Sequence, residues 1–93
     1  MRKYELMVIF PMEEDRYKEG RERVLADLAA GDAEIETVTE IGERDFAYQI
    51  NKMSRGRYVL FNLKLHSETI TNLNRVFKLN SNLVRHFFVK IDK

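Results

Sequence analysis

Apolar and polar positions alternate from the start of the chain. Tyr4, Leu6, Val8 and Phe10 fall on one parity, against Glu5, Met7 and Ile9 on the other, and Pro11 closes the run. Period-two alternation of this kind predicts a strand with one strongly apolar face. From Glu13 to Ala30 the period changes. Tyr17, Val24, Leu25 and Leu28 recur at helical spacing, acids crowd the first turn where the helix dipole favours them, and Gly31 stands where a helix stops. Gly20 weakens the middle of that helix. Extended patterning returns from Ala33 to Ile50, with Gly42 marking a bulge or bend. The turn Lys52-Met53-Ser54-Arg55-Gly56 leads into a third strand. There Val59, Phe61, Leu63 and Leu65 face inward, and Tyr58, Leu60, Asn62 and Lys64 face outward. Ser67 is the predicted N-cap of a second helix carrying Ile70, Leu73, Val76 and Phe77 on one side. Asn80-Ser81-Asn82 breaks it. Val84 to Ile91 reads as a last strand that is apolar on both parities, Phe87 and Val89 against Phe88, so its inward face stays open.

The order strand, helix, strand, strand, helix, strand is that of two split βαβ units. It predicts an α+β, ferredoxin-like fold in a single domain of residues 1–93: a four-stranded antiparallel sheet with both helices on one face. Met7, Ile9, Tyr58 and Leu60 would then share the uncovered face, an apolar area suited to a protein partner.

Charge adds a second pattern. Between Phe46 and Ile91 eight Lys/Arg meet a single acid, Glu68, whereas between Glu13 and Asp45 twelve acids meet five bases. Segregated charge speaks of partners rather than of fold, and a basic half suits a polyanion such as RNA. A solvated surface whose charges happen to sort by segment is the competing explanation. We expect the first and third strands to run the same way in the centre of the sheet. That arrangement gathers Arg2, Lys3, Lys52, Arg55, Arg57, Lys90 and Lys93 at one rim. It sends Glu34, Glu36, the Glu13–Asp15 loop, His66 and His86 to the opposite rim. Tyr4 and Tyr58 near the basic rim are candidates for stacking on unpaired bases, Tyr4 being equally a core position.

Catalytic and metal chemistry find little support. There is no cysteine, the two histidines lack zinc-ligand spacing, and no calcium loop or nucleophile elbow is present. The first strand-to-helix loop, Pro11-Met12-Glu13-Glu14-Asp15, would repel the phosphate that a hydrolase of this fold must cradle. No cofactor, metal or small-molecule substrate is implied. The apolar run Leu6–Phe10 is too short for a signal peptide, and nothing approaches a membrane span, so a cytoplasmic protein is expected.

Several stretches together resemble a known family. They are Met1-Arg2-Lys3-Tyr4-Glu5, Gly42-Glu43-Arg44-Asp45-Phe46-Ala47-Tyr48-Gln49-Ile50-Asn51-Lys52, Gly56-Arg57-Tyr58, and Phe77-Lys78-Leu79-Asn80 leading to Val84-Arg85. In order and spacing they look like the family of the sixth protein of the bacterial small ribosomal subunit. The resemblance implies a non-enzymatic role: binding small-subunit ribosomal RNA of the central region together with the eighteenth small-subunit protein. It carries Arg2, Tyr4, Arg44, Lys52 and Arg85 over as RNA-binding positions, whereas Lys3, Arg55 and Arg57 come only from the rim argument. Arg85 stands apart from that rim and is expected to serve a second contact or a structural role. Gln49 occupies a position where the family usually has proline, which predicts a less kinked strand. The chain ends at Lys93 where many relatives continue into a charged tail, so partner binding is expected to rest on the sheet. The alternative from another class is a homodimeric, small-ligand-sensing regulatory domain of the same fold, which would be indifferent to RNA.

Overall fold

The computed structural model describes residues 1–91. Its elements follow the expected order: β1 (Arg2–Phe10), α1 (Glu14–Ala30), β2 (Glu34–Ile50), β3 (Met53–Leu65), α2 (Thr69–Lys78) and β4 (Arg85–Lys90). The sheet order is β2-β3-β1-β4, and every neighbouring pair is antiparallel. Alternation in the sequence becomes a core in space. Tyr4, Leu6, Val8 and Phe10 of β1 and Val59, Phe61, Leu63 and Leu65 of β3 are buried against Tyr17, Val24 and Leu28 of α1 and Leu73 and Phe77 of α2. Both helices thus cover one face.

The face of β4 that its pattern left open is settled by packing. Phe88 turns inward, with its ring stacked 6.1 Å from Phe77 and edge-on to Tyr4 at 6.3 Å. His86 joins it, 5.1 Å from Phe77. Phe87 and Val89 therefore point to the uncovered face and stay exposed.

Two local expectations change. Ser67 does not cap α2. Its hydroxyl is hydrogen-bonded to Tyr4 Oη at 2.9 Å, and the cap position falls to Glu68, which makes no side-chain cap bond. Gln49 does not keep its strand straight either. Asp45 pairs with Arg55 and Ile50 with Met53, so residues 46–49 face Ser54 alone and leave the ladder. Nearer the middle of β2, the register skips Glu36 and Ile41. Gly42, just after the second skip, takes φ of 107°, where a side chain would be strained.

The excursion at 46–49 folds back over the open face. A Cβ on Gly56 would lie 2.6 Å from Ile9 Cγ2 and 2.8 Å from Phe46 Cζ, so both side chains rest on the bare Gly56 backbone. Ile9 is consequently only 3% exposed. Asn51, in the hairpin tip Asn51-Lys52, reaches across to the start of β4.

Candidate nucleic-acid interface

Strand direction decides which bases meet. The α1 crossover makes β1 and β2 parallel, and the β2–β3 hairpin then reverses β3, so β3 must run against β1. The register confirms this, with Arg2 opposite Leu65 and Phe10 opposite Arg57. The expected single rim of seven bases is therefore two rims. Arg2 and Lys3 lie with Lys64 and Lys90 at one end of the sheet, beside Glu34 and Glu36. Lys52, Arg55 and Arg57 lie at the other end. Arg44 joins them opposite Gly56, and Arg85 opposite Ile9. Arg85 thus belongs with Lys52 rather than apart from it. The acidic loop Glu13–Asp15 also sits at this second end, and the histidines are divided, His66 at the Arg2 end and His86 at the other. Lys93 lies outside the described residues.

Within the second rim, geometry separates engaged cations from free ones. Arg57 Nη1 donates to Glu14 Oε1 at 2.8 Å, and its guanidinium carbon stands 3.6 Å from the centre of the Tyr17 ring. This hydrogen bond holds the Glu14 carboxyl below its ordinary pKa and raises that of Arg57. Tyr17 Oη in turn donates to Glu40 Oε2 at 3.2 Å, which also accepts from Arg21 Nη1 at 2.9 Å, and burial pushes the phenol's pKa up. Arg57 is thereby a brace between β3 and α1. Arg55 is held as well, by Asp45 Oδ1 at 2.7 Å and Glu43 Oε1 at 3.5 Å. Tyr4 is 6% exposed and spends its hydroxyl on Ser67, so it is a core residue and not a surface for bases.

Lys52, Lys78 and Arg85 make no ion pair among the described residues and are exposed. Arg44 is also exposed and donates to the Glu43 carbonyl. Lys52 occupies the hairpin tip with φ of 65°, next to Asn51 at 50°. Asn51, Lys78, Arg85 and His86 line one cleft of about 330 Å³ floored by Phe77, Leu83 and Val84. Burial, with the nearby Lys78 charge, lowers the His86 pKa, and Asn74 Oδ1 lies 2.8 Å from its Nε2. The basic half of the sequence includes Lys78, but nothing in its pattern places this lysine beside Lys52 and Arg85. It sits in the last turn of α2, and only the fold brings that turn beside the β2–β3 tip.

The uncovered face carries the second surface. Met7 lies directly between Leu60 of β3 and Phe87 of β4, and Val89 pairs with Glu5. Phe46 stands 6.4 Å from Tyr58, beside a groove of about 230 Å³ that Tyr48, Arg85 and Phe87 also line. Of the expected partner residues, Met7, Tyr58 and Leu60 are half-buried on this face, whereas Ile9 is 3% exposed beneath the hairpin, at the base of that groove. Exposed Tyr48, Phe87 and Val89 take its place; Phe87 and Val89 were hidden in sequence by the two-sided apolarity of β4. Among the described residues no group of three or more His, Cys, Asp or Glu could hold a metal ion, and no helix is long and apolar enough to cross a membrane.

Comparison with known proteins agrees with this architecture. The profile of the family described as ribosomal protein S6 matches residues 3–90. The small ribosomal subunit protein bS6 of Treponema denticola is 40% identical over 92 residues, covering 99% of either chain. That of Halalkalibacterium halodurans is 45% identical over 92 residues, covering 97% of each. The crystal structure of 30S ribosomal protein S6 from Thermotoga maritima superposes with a TM-score of 0.87 at 24% identity, covering 97% of this chain and 87% of that one, a likeness of fold. The chain belongs to the ribosomal protein S6 family, the structural, non-enzymatic components of the cytoplasmic small ribosomal subunit of bacteria.

Proposed function

We propose that the chain binds small-subunit ribosomal RNA of the central region through Lys52, Lys78 and Arg85, with Arg44 beside them, while the uncovered sheet face holds the eighteenth small-subunit protein. The observation that carries this reading is that Lys78 and Arg85 line one cleft with Asn51, next to Lys52 at the hairpin tip, all three cations being exposed and making no ion pair among the described residues. A carboxylate partner offsets part of a cation's charge, whereas an unpaired cation offers its full charge to a phosphate. Arg55 and Arg57 therefore stand back from the contact, as a held side chain and a brace. Arg2 and Lys3 at the far end, with Lys90 beside them, form a separate cationic edge.

Fluorescence anisotropy with a transcript of the subunit's central region, in the presence of the eighteenth protein, tests the assignment. The triple variant Lys52→Glu, Lys78→Glu, Arg85→Glu should lose binding steeply. Its log-affinity against log-salt slope should be shallower by roughly 0.7–0.9 for each phosphate that is no longer neutralised. The double variant Arg2→Glu, Lys3→Glu should cost less. A triple variant with the parent's affinity and slope rules these three cations out as the RNA-binding group.

A further inference from the structure

We infer that the cleft between the hairpin tip and the end of α2 receives a single unpaired nucleotide of the bound RNA. This deepens the RNA-binding reading and rests on it. A cavity of about 330 Å³ is the size of a small-ligand site and cannot enclose a duplex. Its lining sorts by chemistry as a nucleotide does. Lys78 and Arg85 are at hand for a phosphate. The Asn51 side-chain amide offers both a donor and an acceptor, as a base edge requires. Leu83 and Val84, half-buried over the core residue Phe77, supply an apolar floor for the face of a base.

Charge singles this cleft out from its neighbours on the same rim. The adjoining cleft beside Lys52 and Arg55 contains Glu13, and the groove on the open face contains Asp45. Among the described residues no carboxylate lines the cleft of Asn51, Lys78 and Arg85, so an anion entering it meets no acidic side chain in that lining. The tip is also held in place. Asn51 and Lys52 both adopt left-handed backbone, and Ile50 pairs with Met53 directly behind them, so the amide is presented from a closed two-residue turn. A base stacked or hydrogen-bonded in such a site adds to phosphate attraction without adding to salt dependence.

The test has two arms on the full chain. In the first, amide resonances are followed by NMR during titration with adenosine or uridine 5′-monophosphate, and separately with inorganic phosphate. The proposal expects shifts at Asn51, Lys78, Val84 and Arg85, half-complete at about tenfold lower monophosphate than phosphate. Identical titrations for the two probes, or no response at these positions, overturn it. In the second arm Val84→Trp fills the floor while leaving every cation in place. RNA affinity should fall about tenfold with an unchanged salt slope. If Val84→Trp keeps the parent's spectrum and binds RNA as the parent does, nucleotide capture is wrong, while RNA binding stands on the charge variants. If those charge variants bind normally, the RNA reading itself fails. Should Val84→Trp not fold, the monophosphate titration of the parent decides.

Discussion

Gly20 shows how a residue's local cost can hide its use. Within a helix, glycine is about 1 kcal/mol worse than alanine, so propensity alone predicts that Gly20→Ala stabilises the chain. The structure reverses that sign. A Cβ at Gly20 would sit 2.2 Å from the carbonyl oxygen of Asn82, because the loop after α2 lies directly on the bare backbone of α1. The same approach is clasped by hydrogen bonds. Asn80 Nδ2 donates to the Gly20 carbonyl at 3.3 Å, while Arg16 Nε donates to Asn82 Oδ1 at 3.0 Å and Nη2 to the Ser81 carbonyl at 2.9 Å. Backbone cannot swing aside as a flexible side chain can, so overpacking should outweigh the gain in propensity. We expect Gly20→Ala to lower stability by about 1–3 kcal/mol in urea denaturation. A variant at least as stable as the parent means that α1 and the 80–82 loop are not in contact. From the sequence, Gly20 reads as a weak point and Asn80-Ser81-Asn82 as a breaker. Neither pattern shows that the two touch, since sixty residues of chain separate them.

At the scale of an element, the β2–β3 hairpin places function against local stability. Its two-residue loop has positive φ at both positions, the geometry that favours Asn followed by Gly. Asn51 obeys the rule, and Lys52 does not. Holding a lysine in left-handed backbone costs roughly 1 kcal/mol, and strain of this kind collects where a side chain is needed for something else. Lys52→Gly relieves the strain and removes the cation together, although the freer unfolded chain returns part of the gain. The expected outcome is opposite in sign for the two properties. Urea denaturation should find the variant as stable as the parent or slightly more so, and RNA anisotropy should find it weaker with a shallower salt slope. Loss of both stability and binding would make Lys52 a structural residue and remove it from the RNA-binding group. The hairpin also explains why Ile9 misled. Its alternation with Leu6 and Val8 places it on the open face correctly, but nothing in a period-two pattern foretells that residues 46–49 leave the ladder and cover it.

For the whole molecule, alternation was enough to order the elements and to sort Met7 and Leu60 from Leu6 and Val59, because strand periodicity reports faces directly. Rims are another matter. They depend on strand direction, and taking the first and third strands as parallel merged two cationic ends into one, although the crossover and the hairpin together require the opposite. Engagement was illegible for a different reason. Glu14 and Tyr17, which hold Arg57, belong to another element, and only packing brings them to it. The corrected geometry has a consequence for assembly. Arg85 lines both the cleft proposed for RNA and the groove on the open face, where Phe87 and Tyr48 are exposed. A protein seated on that face would abut the RNA at Arg85, so each should raise the other's affinity, and linkage makes the factor the same in both directions. Leu60 is the place to break the protein interface without touching the RNA cleft. It is half-buried, its Met7 neighbour lies between it and Phe87, and it does not line that cleft. Leu60→Asp should melt near the parent and bind RNA alone as the parent does. Addition of the eighteenth protein should strengthen RNA binding of the parent by about 5- to 150-fold, the usual span of coupling between sites, and that of the variant far less. Anisotropy with and without the partner, for both chains, reads the difference. Equal enhancement in the two would remove the open face from partner binding, and a variant that melts far below the parent would show Leu60 to be part of the core.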